Sequence, residues 1–202
     1  MLAVLDYGIG NLRSAQKALE RVGADARLVT TAAEAEGAAG VVLPGVGAFG
    51  ACMEALGRSG LDRVARAAVE AGTPFLGICV GMQLLYEGSE EDPAAAGLGI
   101  LEGRVRRLPA GVKRPQMQWN RLELHQPGDP LVEGLGPDAW VYFVHSYVAP
   151  ASPGVIATCD YGGPVPAVVG APGLWATQFH PEKSGPVGLA LLANFVRLTE
   201  AA

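Results

Sequence analysis

The sequence predicts an α/β fold of three layers, α/β/α, around a central, mostly parallel (mixed) sheet, with antiparallel additions in the C-terminal half. Three observations carry that reading. As far as residue 88, short apolar runs alternate with amphipathic runs of helical period, the β-α-β-α order that builds a parallel sheet covered on both faces. From about residue 100, short apolar runs follow one another with only Gly/Pro turns between them, which reads as hairpins or antiparallel additions. A last helical run, "VGLALLANFVRL", closes the chain.

Taken in order, "LAVLD" is a short buried strand. Leu12, Ala15, Leu19 and Val22 share one helical face, and Gly23 stops that helix. "ARLVT" and "GVVLP" are the next strands. Leu61, Val64, Ala65, Ala68 and Val69 mark a second amphipathic helix, ended by Gly72 and Pro74. "FLGIC" is a further strand and "MQLLYEG" the helix after it. "GSEEDPAAAG" (88–97) reads as a surface loop. "LEGRVRRL", "MQWNRLEL", "WVYFVHSYV", "GVIATCDY", "AVVGA" and "LWATQF" are the strands of the second half. With no linker, repeat or low-complexity tract, residues 1–202 read as one domain.

Composition narrows the function classes. Of 202 residues, 50% are apolar and 17% charged, which is a globular balance. The net charge of −5 argues against nucleic acid, which needs a concentrated positive face. No apolar run reaches about 18 residues, so no membrane span is expected. "MLAVLDYG" lacks the basic and apolar regions of a signal peptide. The 3 cysteines are widely spaced and make no disulfide framework, which fits a reducing, cytoplasmic setting. No CxxC or HExxH occurs, and no metal or other cofactor is expected.

The chemistry centres on "FLGICVGMQLL". A nucleophile on a tight strand-to-helix turn brings the residues two before and two after it close together, so Gly77 and Gly81 suit Cys79. The helix N-terminus favours a thiolate, and the Val80 N–H points where an oxyanion forms. This stretch alone serves equally for a structural cysteine between two turn glycines. Cys52 and Cys159 lack such a turn and read as core.

A thiolate needs a base and the base an orienter. "TQFHPEKS" supplies both in His180 and Glu182, two residues apart. His125 reads as solvated; His145 is open between core and binding. "LPGVGAFG" follows a strand and can supply a second oxyanion donor from Val46 or Gly47. It matches GxGxxG literally, but the acid about 20 residues on, Asp62, opens a helix, so a dinucleotide site is discounted. No Lys-Ser/Thr follows, so it is no P-loop either.

"PGVG", "GICVGMQ" and "HPE", in that order, resemble the class I (triad) glutamine amidotransferases. "DYGIGNLRS", "GLGILEGRV", "YFVHSY" and "QFHPEKS" extend the likeness over nearly the whole length, to the glutaminase subunits of imidazole glycerol phosphate synthase. The resemblance implies the three-layer fold and a Cys79–His180–Glu182 triad. It implies an oxyanion site at Val46, Gly47 and Val80, and glutamine contacts at Gly45, Gln83, Ser146 and Tyr147. It also implies a heterodimer with a cyclase partner, a (β/α)₈ barrel; Ile9, Asn11, Met117, Trp119 and Lys183 are the expected contacts, because they lie in loops flanking "PGVG" and "HPE" and Trp is a common interface anchor. The barrel takes about 250 residues by itself and lies outside this chain. One departure stands out: the usual His-Met-Gly-Trp-Asn is here Gln116-Met117-Gln118-Trp119-Asn120. The basic cluster Arg104, Arg106, Arg107, Lys113 and Arg114 reads as a solvated face. Three other readings compete: a glutaminase for another synthase such as the pyridoxal phosphate system, a non-catalytic scaffold of the same fold, and a cysteine peptidase or γ-glutamyl hydrolase.

Overall fold

The computed structural model describes residues 1–200. The first half is built as the apolar runs dictate. Strand β1 (Leu2–Leu5) is buried along its length and is followed by helix α1 (Leu12–Arg21), which packs Ala15, Ala18 and Leu19 inward. Strand β2 (Ala26–Val29), a one-turn helix α2 (Ala32–Ala35) and strand β3 (Gly40–Gly45) come next. Helix α3 (Phe49–Ser59) and helix α4 (Leu61–Glu70) meet at Gly60, whose φ of 74° closes one and opens the other. The sequence reading assigned no helix to 49–59, yet Phe49, Cys52, Ala55 and Leu56 recur at helical spacing and are buried. Strand β4 (Phe75–Cys79) then runs directly into helix α5 (Val80–Leu84).

Two expectations change here. The helix after Cys79 ends at Leu84, and Tyr86–Ser89 is a strand, β5, with Gly88 and Ser89 buried. The surface loop therefore begins later than residue 88. Strand β6 (Leu101–Arg107) pairs parallel to β5, so "LEGRVRRL" is not an antiparallel addition on that side.

The remaining elements are β7 (Gln116–Arg121), β8 (Glu123–Leu124), β9 (Trp140–His145), β10 (Tyr147–Val148), β11 (Val155–Asp160), β12 (Pro164–Ala171), β13 (Leu174–Thr177) and helix α6 (Gly185–Glu200). The main sheet has eight strands in the order β2-β1-β3-β4-β13-β12-β11-β8. Strands β5, β6 and β10 form a small second sheet, and β7 with β9 a two-stranded ribbon.

Strand β13 is the third correction. "LWATQF" was placed among the antiparallel additions, but β13 lies parallel to β4 on one side and antiparallel to β12 on the other. All its residues are buried, as a strand covered on both faces requires. Residues 80–173 act as one long crossover that returns the chain to the middle of the sheet. In consequence β3, β4 and β13 end at the same edge: Gly45 pairs with Cys79, and Thr177 with Ile78. Ligands of open α/β sheets bind at that edge.

Candidate active site

Cys79 has φ 56° and ψ −112°, and it is the one non-glycine with positive φ among the described residues. Such a conformation costs of order 1–3 kcal/mol and persists only where the surroundings enforce it. Here the surroundings are glycines packed backbone on backbone. A Cβ on Gly77 would lie 3.1 Å from the Gly81 carbonyl oxygen and Met82 N. One on Gly81 would run into the Leu43 carbonyl, and one on Gly45 would come within 2.7 Å of Gly81 N. The G-x-C-x-G spacing is thus a steric requirement of seating α5 against both β4, at Gly77, and β3, at Gly81.

His180 leaves the end of β13 into a 3₁₀ turn, Pro181–Lys183. Its Nδ1 lies 2.8 Å from Glu182 Oε1, with both side chains almost wholly buried. The Ser184 hydroxyl donates to the His180 carbonyl at 2.6 Å and accepts from Tyr142 N at 3.0 Å, tying this turn to β9. Burial alone would lower the His180 pKa. The adjacent Cys79 sulfur and the Glu182 carboxylate outweigh it and hold the imidazole up at about 9. A histidine in these surroundings favours its protonated form beside the sulfur.

These groups open into a cavity of about 580 Å³. Val46, Gly47, Cys79, Val80, Gln83, Ser146, Tyr147 and His180 line it, as do Asn11 and Lys183 from the expected partner surface. Gly45 lies beneath the wall, and Glu182 is buried against His180. Gln83 is committed to the protein: its amide donates to the Tyr147 carbonyl at 3.0 Å and to Gln178 Oε1 at 3.1 Å. Ile9 is half-buried and packs on the core.

Two wall residues were not assigned from the sequence. Glu91 lines the cavity, and its Oε2 accepts from Phe49 N at 2.8 Å, so it also caps α3. It was read as part of a surface loop; its only signal was an acid shortly after the elbow helix. His145, left open, both lines the cavity and is buried, with Nδ1 donating to the Tyr147 carbonyl at 3.0 Å. His125 is exposed and paired with Thr158, while Cys52 and Cys159 are buried.

Beside the cavity mouth, the β7–β9 ribbon turns one face outward. Met117 pairs with Val144 and Trp119 with Tyr142, their rings 6.0 Å apart. Met117, Trp119 and Trp140 are the exposed large apolar residues, at 62%, 48% and 49%. Trp119 therefore does not tuck into this chain's own core. Of the two departures, Gln116 is buried with its amide on Cys159 Sγ at 3.6 Å, and Gln118 is exposed. The basic cluster is exposed. No helix of the described residues is long and apolar enough to cross a membrane, and among those residues no His/Cys/Asp/Glu group is placed to hold a metal.

A cysteine on a strand-to-helix elbow has a His–Glu pair from the strand on one side and a glycine loop from the strand on the other, the arrangement expected of a triad amidotransferase. Residues 3–198 match the family glutamine amidotransferase class-I, and the chain belongs to it. It is 52% identical over 199 residues to the imidazole glycerol phosphate synthase subunit HisH of Deinococcus radiodurans, covering 96% of this chain and 92% of that one. It is 50% identical over 204 residues to the subunit HisH of Geobacillus kaustophilus, covering 97% and 96%. Among solved structures, a glutamine amidotransferase superposes with a TM-score of 0.78 at 27% identity over 98% of each chain. PurLQS from Thermotoga maritima shares the fold, with a TM-score of 0.78 at 20% identity over 98% of this chain and 97% of that one.

Proposed function

We propose that residues 1–202 act as one glutaminase domain, the glutamine-hydrolysing subunit of an imidazole glycerol phosphate synthase. The observation that carries it is Cys79 held at positive φ beside the buried His180–Glu182 pair. The near-full-length likeness to synthase subunits supports the choice of synthase.

The Cys79 thiolate attacks the side-chain amide carbon of glutamine. The carbonyl oxygen becomes an oxyanion, met by the Val80 N–H and by the N–H groups of the Val46–Gly47 loop. His180 donates its proton to the amide nitrogen, the C–N bond breaks, and ammonia leaves from a thioester. Water, deprotonated by His180, attacks the thioester, and the C–S bond breaks to give glutamate and restore the thiolate. Glu182 keeps the imidazole in one orientation and stabilises its cation. Gln83, Ser146 and Tyr147 shape the glutamine pocket, and Glu91 offers a carboxylate to the α-ammonium group. Ammonia then passes to a cyclase subunit, a (β/α)₈ barrel docked through the cavity mouth, which makes imidazole glycerol phosphate and an aminoimidazole carboxamide ribotide.

The test is the purified complex with Cys79→Ala. Glutamine-dependent turnover should disappear while turnover on added ammonium salt continues. Equal loss of both would count against this division of labour.

A further inference from the structure

Two buried side chains behind the Val46 loop take no part in the chemistry above. Tyr7 comes from "DYGIGN", after β1, and Cys52 from the first turn of α3. Tyr7 is 5% exposed and Cys52 is fully buried. The Tyr7 hydroxyl donates to the Pro44 carbonyl at 2.8 Å, and the Cys52 thiol donates to the Val46 carbonyl at 3.2 Å. The two groups are also neighbours, close enough to affect each other's protonation. Burial, the largest influence on both, pushes the phenol and the thiol upward from their ordinary values, so both keep their protons and remain donors through the neutral range.

The carbonyls they hold belong to the peptides on either side of a single peptide, Gly45–Val46. A trans peptide directs its N–H opposite to its C=O. Holding the Val46 carbonyl toward α3 turns the Gly47 N–H away from α3, and Gly47 lines the cavity. Holding the Pro44 carbonyl anchors the loop where it is tightest: a Cβ on Gly45 would meet the Tyr7 oxygen at 2.9 Å. An apolar side chain at position 7 or 52 would fill much the same space and leave the carbonyl without its donor.

We propose that Tyr7 and Cys52 are positioning residues of the glutaminase, a two-point clamp that aims the Gly47 N–H at the oxyanion and holds both ends of the Gly45–Val46 peptide. The proposal rests on the glutaminase reading and extends it to two side chains that never touch glutamine. It also explains why the buried Cys52, unlike Cys159, faces a backbone carbonyl of the active-site loop.

The test uses the full chain, alone and with its cyclase partner, as Tyr7→Phe, Cys52→Ala and Cys52→Ser. Three quantities are read: kcat and KM for glutamate release, the rate at which iodoacetamide alkylates Cys79 (followed by the mass of its peptide), and Tm. Losing a direct oxyanion donor costs about 10²–10³ in kcat, and losing a group that only aims one is expected to cost about tenfold. Tyr7→Phe and Cys52→Ala should show that loss in kcat with KM within about twofold, since the interaction forms only in the transition state. Alkylation passes through no oxyanion and should keep its wild-type rate. Cys52→Ser retains a donor and should recover most of kcat. Unchanged kcat in both donor-deleting variants overturns the clamp. So does a Cys52→Ser as impaired as Cys52→Ala, or alkylation that slows in step with kcat. Should Tyr7→Phe not fold, the Cys52 pair decides alone. If the wild-type chain releases no glutamate in either setting, the glutaminase reading falls and takes the clamp with it. If it does and the variants match it, only the clamp falls.

Discussion

His145 and His180 both face the cavity, and their surroundings pull them in opposite directions. Burial, helped by the nearby His180 and opposed by the Tyr147 carbonyl, pushes His145 down from 6.5 to about 4. His180 is raised from 6.5 to about 9, burial being outweighed by Cys79 and Glu182. The signs follow from linkage. Between 4 and 6.5 the unfolded chain takes up a proton that buried His145 refuses, so its contribution to stability is lost as pH falls through that window. Between 6.5 and 9 folded His180 keeps a proton that the unfolded chain has released, so its contribution is lost as pH rises. Each slope approaches about 1.4 kcal/mol per pH unit inside its window. The two together should make stability peak near 6.5. Urea unfolding across pH checks this: His145→Gln should flatten the acid limb and His180→Gln the alkaline one. Limbs unchanged by both substitutions would refute the assignment. The His180–Glu182 pair was legible only in combination: a His-Pro-Glu turn alone is ordinary surface, and it gained meaning beside the Gly77–Cys79–Gly81 turn on another strand. His145 was not, because its burial depends on the β7–β9 pairing, a contact between segments that no local pattern announces.

At the scale of elements, the elbow is where sheet and helix press hardest. Gly81→Ala would drive a methyl into the Leu43 carbonyl, which neither β3 nor α5 can relieve without losing the β3–β4 register. The expected cost exceeds about 3 kcal/mol. Gly57→Ala is the control: it lies in α3, is exposed and has nothing within 4 Å of an added Cβ. There alanine should stabilise by about 0.5–1 kcal/mol. Urea midpoints of the two variants should move in opposite directions, and a tolerated Gly81→Ala would mean the close packing is not required. The same elements show what periodicity can and cannot disclose. Strands β1, β3 and β4 were legible because strands buried on both faces read as continuous apolar runs. Helix α3 was not, because Gly50 and Gly57 lower its helix propensity and its N-terminus is capped by Glu91, 42 residues away. Strand β13 was recognised as a strand but misplaced, since its parallel partner is set by a long crossover and not by its own residues.

At the scale of the whole molecule, the ribbon adjoins the cavity, since its strand β9 supplies Val144 and His145 to the lining, and a partner docked on it would have a lever on the site. Met117 and Trp119 project from β7 while Asn11 and Lys183 sit on the cavity rim. Desolvated tryptophans at interface centres commonly cost 2 kcal/mol or more when truncated, so Trp119→Ala should weaken the complex by about 30-fold or more. Unchanged association and coupled turnover would remove the ribbon from the interface. An enzyme of this kind wastes glutamine if it hydrolyses it alone, so the isolated chain should be slow. The loop beside Cys79 has the freedom to be a switch: Gly47 sits at φ 94°, and the Gly45–Val46 peptide lies between two held carbonyls. With its N–H turned away, one oxyanion donor is missing, a deficit of about 10²–10³ in rate. A ribotide on the cyclase can restore that donor only by binding the active loop state more tightly than the resting one. The coupling is then reciprocal, and glutamine held at Cys79 should tighten ribotide binding by the same factor. Glutamate release is measured from the chain alone, the chain with cyclase, and the chain with cyclase and ribotide. Rising rates are expected across the three, and equal rates would discard the switch while leaving the triad intact. Gly47→Pro should abolish the rise and lower all three rates, because proline cannot adopt the positive φ seen there and brings no N–H.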